Sequence, residues 1–263
     1  MRLMSWIAFV GALVATGGMA GLYFGLGVSW IALAVVAGVV LASYVAGAAA
    51  ASFSATHGFA EFMRGWLVGI NAGLNGFLAF ALLDAIAGPA PGIAVGASLG
   101  LVNLISVFRP ISQSEVYQGF IGWLNWAMPM SWLVVVLGFV FYLISFLGHA
   151  FTAGRVQYLR IQALAMDWKT GTFFMRGGLI ANLNPIDTAF NMGNFSFVDY
   201  QSSGWHMEHE AGHTLNLAAF GSLFHLIGAL DENATRRGAN AFSERLAESN
   251  SSGTGGTNIP MWA

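Results

Sequence analysis

The chain has 263 residues, of which 56% are hydrophobic and only 8% are charged, and its mean hydropathy is +0.66. So few charged side chains cannot cover the surface of a water-soluble protein of this length, and we therefore expect an integral membrane protein. The formal net charge of −2 provides no basic excess for binding nucleic acid. Because the sequence contains no cysteine, a disulfide framework, an iron–sulfur cluster and a thiolate zinc site are excluded.

The charged residues divide the chain into two parts. Six of them precede residue 151, namely Arg2, Glu61, Arg64, Asp84, Arg109 and Glu115, and all the others lie in the last 113 residues. We therefore predict an α-helical transmembrane domain over residues 1–154. A small polar α+β domain is predicted over residues 155–263.

Five apolar runs are long enough to cross the hydrocarbon of a bilayer, which is about 30 Å thick. They cover residues 3–26, 30–52, 64–87, 91–108 and 130–152. The sequence therefore predicts five transmembrane helices. Between the last two runs, the segment 110–129 contains Trp123, Trp126 and Pro129, which suit an interfacial position.

The placement of arginine residues bears on the orientation. In the five-helix arrangement Arg2, Arg64 and Arg109 lie on one side, which we expect to be cytoplasmic. The C-terminal domain then lies on the non-cytoplasmic side of a bacterial inner membrane. Arg155 and Arg160 directly follow the last run and favour the opposite orientation.

Small and polar residues inside the apolar runs indicate how the helices pack. Glycines recur four residues apart, as in Gly65, Gly69 and Gly73, and such rows let helices approach closely in lipid. We expect packing within the chain, although the same rows also allow an oligomer or contacts with membrane-protein partners. Polar residues such as Asn71 and Asn103 are expected to form interhelical hydrogen bonds rather than a transport path.

Beyond residue 155 the sequence changes to short β-rich runs that are separated by turn residues. The candidate strands are 156–165, 171–176, 179–183 and 195–200, and we expect them to form a small antiparallel sheet. The first of these is also compatible with a helical extension of the last membrane segment. Helical stretches are predicted over 205–220, 222–234 and 238–249, with a loop-like tail after them.

The sharpest chemical signal is the HExxH motif at residues 209–213. At 100° per residue, His209 and His213 share one face of a helix, so that both imidazoles can reach one metal ion. Glu210 lies beside them, in a position to take a proton from a water molecule at the metal. The motif therefore predicts two metal ligands and a catalytic base on one helix.

This segment resembles the active-site helix of the zincin metallopeptidases, over about residues 195–235. The resemblance implies that His209 and His213 bind Zn²⁺ and that Glu210 is the catalytic base of peptide hydrolysis. Within that clan the gluzincins take a third ligand, a glutamate, from a following helix. Glu232 follows His213 after 18 intervening residues, which is a gluzincin spacing, and the resemblance therefore implies that Glu232 is the third metal ligand.

Further residues around the motif fit the same interpretation. His225 lies seven residues before Glu232 on the same helix face, and it is expected either to support a ligand or to donate a hydrogen bond to the transition state. Gly221 offers a bend between the two helical stretches. The strand over 195–200 is expected to be an edge that holds an extended peptide.

Other ionisable residues near the motif have simpler interpretations. His206 lies on the face of the motif histidines, and a surface histidine near a helix start is favoured over a third histidine ligand. The glutamates at 208, 244 and 248 are interpreted as solvated helix positions.

The sequence leaves three functional hypotheses. The first is a membrane-bound zinc metallopeptidase, and because the stretch 214–230 is apolar enough to dip into the bilayer, its substrate would be a membrane-associated polypeptide. The second is a non-enzymatic membrane subunit of a larger assembly, in which the histidines bind a structural metal or none. A transporter comes third, because the apolar runs contain few ionisable residues.

Overall fold

A computed structural model of the chain describes residues 30–52, 58–183, 189–202, 206–234 and 241–250. Among these residues, four helices are long and apolar enough to cross a membrane: Glu61–Ala87, Pro89–Val107, Pro129–Thr152 and Met207–Glu232. Three of them match predicted runs, and the fourth contains the HExxH motif. The predicted crossing over 3–26 lies outside the described residues. By their length and composition, these four helices are consistent with an integral membrane protein.

The described residues of the first part of the chain, 30–52 and 58–152, are mostly helical. Its α-helices are α1 (Trp30–Ser52), α2 (Gly58–Ala87), α3 (Pro89–Leu104), α4 (Arg109–Ser112), α5 (Glu115–Leu124) and α6 (Trp132–Thr152), and 3₁₀ turns lie at Ile105–Val107 and Pro129–Ser131. Uninterrupted helix is expected for apolar segments in lipid, because it satisfies every backbone hydrogen bond internally. The short helix α5 lies within the segment that was predicted to be interfacial.

Glycine rows pack α2 directly against α3. A Cβ atom added to Gly96 would lie 2.5 Å from the carbonyl oxygen of Gly76, and one added to Gly92 would lie 2.9 Å from that of Phe80. The turn between the two helices is made by Gly88, whose φ of +89° favours glycine. The predicted close packing within the chain is therefore confirmed for this pair of helices.

In the described part of the chain, four short strands form one mixed sheet. They are β1 (Ile161–Asp167), β2 (Thr172–Gly177), β3 (Ala189–Met192) and β4 (Phe195–Val198), and their order in the sheet is β1-β2-β4-β3. The β1–β2 and β3–β4 pairs are antiparallel, whereas β2 and β4 run parallel. The prediction of a purely antiparallel sheet was therefore wrong.

Two of the predicted strands also differ from the structure. The segment over 179–183 is a helix, α7 (Leu179–Leu183). The strand over 195–200 is β4, which lies inside the sheet between β2 and β3, so it is not an edge. The edge next to it is β3, which was not predicted and which forms a tight hairpin with β4 around Gly193, where φ is +72°.

The sheet packs along the membrane-spanning helix α6 and does not form a detached domain. A Cβ atom on Gly138 would collide with the carbonyl oxygen of Met192. Further along the helix, the Oγ of Ser145 accepts a hydrogen bond from the backbone N–H of Ile180 at 3.2 Å, and Nδ1 of His149 accepts one from Ile161 at 3.0 Å. Contacts therefore continue over much of the length of α6.

The last two described helices are α8 (Met207–Ala234) and α9 (Phe242–Asn250). Helix α8 is interrupted at Gly221, where φ is 79° and ψ is 175°, so the predicted bend is confirmed. Residues Leu215, Leu217 and Phe220 of α8 each enter a different hydrophobic cluster, with α5, with α6 and the sheet, and with α2, respectively. Helix α8 therefore packs against both the helices of the first part of the chain and the sheet.

Candidate metal centre

Two imidazoles and one carboxylate converge where α8 meets α9. The Nε2 atoms of His209 and His213 are 3.2 Å apart. The carboxylate of Glu244 reaches both rings, with Oε2 at 2.8 Å from Nε2 of His209 and Oε1 at 3.2 Å from Nε2 of His213. The three side chains therefore offer ligand atoms that lie close enough together to hold one metal ion.

The residues fit a divalent metal in both geometry and chemistry. Ligand atoms that lie about 2.0–2.2 Å from a tetrahedral zinc ion are about 3.3–3.6 Å from one another. The separations of 2.8 to 3.2 Å between the ring nitrogens and the carboxylate oxygens approach these values. Two histidines and a glutamate are also a ligand set that catalytic zinc sites use.

The structure corrects the sequence-based interpretation of Glu244 as a solvated helix position. It is only 8% exposed, and it lies in the first turn of α9. The two helices approach closely because Gly212, inside the motif, has no side chain: a Cβ atom there would collide with the backbone of Ala247 on α9. The close approach brings the Glu244 carboxylate to the histidines.

Among the described residues, the predicted ligand Glu232 does not join this cluster. The ring of His225, on the same half of α8, lies 6.3 Å from that of His213 between centroids. Glu232 is seven residues further along, which is about 10.5 Å along the helix axis at 1.5 Å per residue. Helix geometry therefore separates Glu232 from His225 by two turns, and the cluster takes its carboxylate from Glu244 instead.

The electrostatics of Glu244 suit a metal ligand. Burial by itself raises the pKa of the carboxyl group, but the hydrogen bonds and charges of His209 and His213 outweigh that effect and hold the pKa well below its usual value. The carboxylate is therefore ionised at neutral pH, which metal coordination requires.

Glu210 is buried beside the cluster of His209, His213 and Glu244. It is 4% exposed, and its Oε2 atom has no hydrogen-bond partner among the described residues. Ser196 of β4 is a hydrogen-bonding neighbour of the same carboxyl group. A buried carboxylate oxygen without a partner is costly, so a water molecule or a bound ligand is expected at this atom.

Strand β3 joins the two halves of α8 through Asn191, a residue that the sequence analysis missed. Its Nδ2 atom donates to the carbonyl oxygen of Glu210 at 3.0 Å and to Oγ1 of Thr214 at 3.2 Å. Its own carbonyl oxygen lies 3.1 Å from Nε2 of His225. Because β3 is only four residues long, it gave no signal by which Asn191 could have been found.

A chain of hydroxyl groups holds the motif helix against the sheet. Oγ1 of Thr214 donates to the carbonyl oxygen of Gly193 at 2.7 Å and accepts from Oγ1 of Thr172 at 2.8 Å. Thr170 continues the chain, at 2.8 Å from Thr172, and donates to Asp167 at 2.6 Å. These contacts fix the rotation of α8, and hence the direction in which the motif residues point.

His206, the remaining candidate near the motif, lies outside the cluster of His209, His213 and Glu244. His206 is exposed and begins the turn into α8 with a φ of 48°, and its Nε2 atom lies 3.5 Å from Oγ of Ser202. The prediction of a surface histidine near the helix start is confirmed.

Comparison with protein-family models, with curated proteins and with solved structures finds no match for this chain. The functional argument therefore depends on the arrangement of the site itself.

Proposed function

We propose that the protein is a membrane-bound, zinc-dependent metallopeptidase that hydrolyses peptide bonds in membrane-associated or juxtamembrane polypeptides. His209, His213 and Glu244 are the metal ligands in this proposal, and Glu210 is the general base. The observation that carries it is that Glu210 lies beside three converging ligand atoms and that its buried Oε2 atom has no hydrogen-bond partner in the described part of the chain. A structural metal site has no need for an additional buried carboxylate of this kind.

Each residue has a distinct part in the proposed reaction. Zinc held by such ligands supplies Lewis acidity towards a water molecule and a substrate carbonyl group. Glu210 takes a proton from the attacking water and delivers it to the nitrogen of the leaving amine as the peptide bond breaks. The desolvated surroundings of Glu210 make its carboxylate a better proton acceptor than one in bulk water.

His225 is better suited to positioning strand β3 than to donating a hydrogen bond to the substrate. Its Nε2 atom already faces the carbonyl oxygen of Asn191, so the ring proton belongs on that nitrogen. The neutral ring then has no second N–H group for a developing oxyanion. We therefore assign to His225 the task of fixing β3 beside the motif, where β3 in turn holds Glu210 and Thr214.

The membrane setting defines the class of substrate. Helix α8 carries the motif and is also a candidate span, over Met207–Glu232. The site thus belongs to a helix that is apolar enough to lie in the bilayer. A polypeptide that is itself anchored in or near the membrane reaches such a site more readily than a freely diffusing peptide.

The alternative is a non-enzymatic membrane subunit with a structural metal. Structural zinc sites are usually closed by four protein ligands, whereas catalytic sites have three and leave one position open. The cluster found among the described residues has three members. This open arrangement favours the peptidase.

The experiment compares wild-type protein with Glu210→Gln and with Glu208→Gln, a matched change at an exposed glutamate of the same helix. Each purified protein is incubated in detergent with a solubilised membrane fraction, and new peptide N-termini are identified by mass spectrometry. We expect zinc-dependent cleavage by the wild type and by Glu208→Gln. Glu210→Gln should retain zinc and lose cleavage, and equal cleavage by this variant would disprove the mechanism.

A further inference from the structure

A second cluster of charged side chains lies at the ends of two membrane spans. Glu61 begins the first candidate span and Val107 ends the second, so the cluster lies at the level of the membrane boundary. The buried Arg64 donates from Nε to Glu61 at 2.9 Å, and its two terminal nitrogens donate to the carbonyl oxygens of Ser106 and Val107. All three nitrogens of the Arg64 guanidinium therefore donate hydrogen bonds within the protein.

Arg109 shares the same carboxylate but retains hydrogen-bonding capacity. Its Nε lies 2.7 Å, and its Nη2 2.6 Å, from Oε1 of Glu61. Within the described part of the chain, the hydrogen bonds of this guanidinium go to Glu61 alone, although a guanidinium carries five N–H groups. Glu61 neutralises only one of the two arginines, so one positive charge remains in a site where the Arg109 side chain is 23% exposed.

Both arginines line a small cavity, which we name the arginine pocket. Its polar wall consists of Arg64, Ser106, Arg109, Ser112 and Tyr117, and its volume is about 30 Å³. Since a single water molecule needs about 10–15 Å³ by this measure, the pocket has room for the oxygen atoms of one anionic group. No acidic residue lines it among the described residues, so its net charge favours an anion.

The apolar residues that line the arginine pocket come in part from the two helices of the candidate metal centre. They include Leu215 of α8, two residues after His213, and Leu246 of α9, two residues after Glu244. A site lined by both cationic and apolar side chains complements an amphiphile with an anionic head.

The exposed apolar side chains of helix α5 indicate that the amphiphile is a lipid. Tyr117 and Ile121 of α5 line the arginine pocket, whereas Val116 and Phe120 of the same helix are exposed. A short helix between two spans with large apolar side chains on its outer face is suited to the headgroup boundary of a bilayer. Phospholipid phosphates lie at that level, next to the pocket.

We propose that the arginine pocket binds the anionic headgroup of a phospholipid, with Arg109 as the residue that contacts its phosphate. The bound lipid stabilises the approach of α8 to α9, because both helices contribute to the pocket wall. This proposal does not depend on peptidase activity.

The test measures thermal unfolding of the full chain in nanodiscs. One set contains phosphatidylcholine alone, and a second contains phosphatidylcholine with phosphatidylglycerol; a third is phosphatidylcholine with added inorganic phosphate. We expect phosphatidylglycerol to raise the unfolding midpoint, since a ligand that binds only the folded state stabilises it, and we expect no shift with inorganic phosphate. Wild type, Arg109→Gln, Arg109→Lys and Arg160→Gln are compared.

The variants separate the arginine pocket from general attraction of basic residues to anionic lipid. Arg109→Gln should lose the shift, whereas Arg109→Lys should retain part of it. Arg160→Gln, which removes an exposed arginine outside the pocket, should retain the full shift. An unchanged shift in Arg109→Gln, or no shift with phosphatidylglycerol in the wild type, overturns the proposal. A full shift with inorganic phosphate alone overturns the assignment to a lipid.

Discussion

Asn71 of α2 lies against Gly221 at the break in α8. A Cβ atom on Gly221 would be only 2.5 Å from Oδ1 of Asn71. The Nδ2 atom of Asn71 donates to the carbonyl oxygens of Ala218 at 3.1 Å and Ala219 at 3.0 Å, just before the break. A helix break leaves such carbonyls without helical partners, and in a membrane protein another polar group must satisfy them. The predicted interhelical role of Asn71 is confirmed.

The first prediction concerns Gly221→Ala. The substitution forces a side chain into a backbone conformation with φ of 79° and into contact with Asn71, so we expect a loss of about 1–3 kcal/mol in unfolding free energy. Chemical unfolding in mild detergent measures it. Gly38→Ala is the matched control, because a Cβ atom at Gly38 meets nothing within 4 Å. Equal stability of the two variants would show that the break is unimportant.

The second prediction concerns the buried hydroxyl chain. Thr214→Val keeps the shape of the side chain but removes its hydrogen bonds to Gly193, Thr172 and Asn191. Leaving those buried partners unsatisfied should cost about 1–3 kcal/mol of unfolding free energy. Thr152→Val provides the control, since that hydroxyl group bonds only to carbonyl oxygens of its own helix. A cost no larger than that of the control would contradict the prediction.

The sequence predicted the helices better than the sheet. Apolar runs such as 64–87 and 130–152 are long enough for lipid to require helical structure, whatever their neighbours. Strand β3 is only four residues long, and the parallel pairing of β2 with β4 depends on contacts that are distant in the chain. A pattern of alternating residues cannot specify such pairing.

The candidate site was predictable only where its residues share one helix. The i, i+4 spacing of His209 and His213 places both rings on one face by helix geometry alone. Glu244 follows His213 after 30 residues, and its approach depends on how α9 packs against α8. Glu244 could not be distinguished from Glu232 by spacing, because neither lies on the same continuous helical segment as the motif.

The third prediction tests the close approach of α8 and α9. Gly212→Ala places a methyl group where the backbone of Ala247 lies, so the helices must separate and withdraw Glu244 from the histidines. We expect a loss of bound zinc, measured by inductively coupled plasma mass spectrometry. In Gly148→Ala, the new methyl group meets its nearest atoms at 3.7 to 3.9 Å, which is ordinary contact, and zinc should be retained. Full zinc content in Gly212→Ala would argue against a ligand on α9.

The fourth prediction distinguishes the two candidate glutamates. Glu244→Gln keeps the volume of the side chain but removes the charge that faces both imidazoles, and a neutral amide is a poor zinc ligand. We expect Glu244→Gln to lower zinc affinity by at least about tenfold, whereas Glu232→Gln should bind zinc like the wild type. Competition with a fluorescent chelator measures both affinities under identical conditions. If Glu232→Gln loses zinc while Glu244→Gln retains it, the third ligand is Glu232, and the gluzincin spacing rather than the contact between α8 and α9 determines the site.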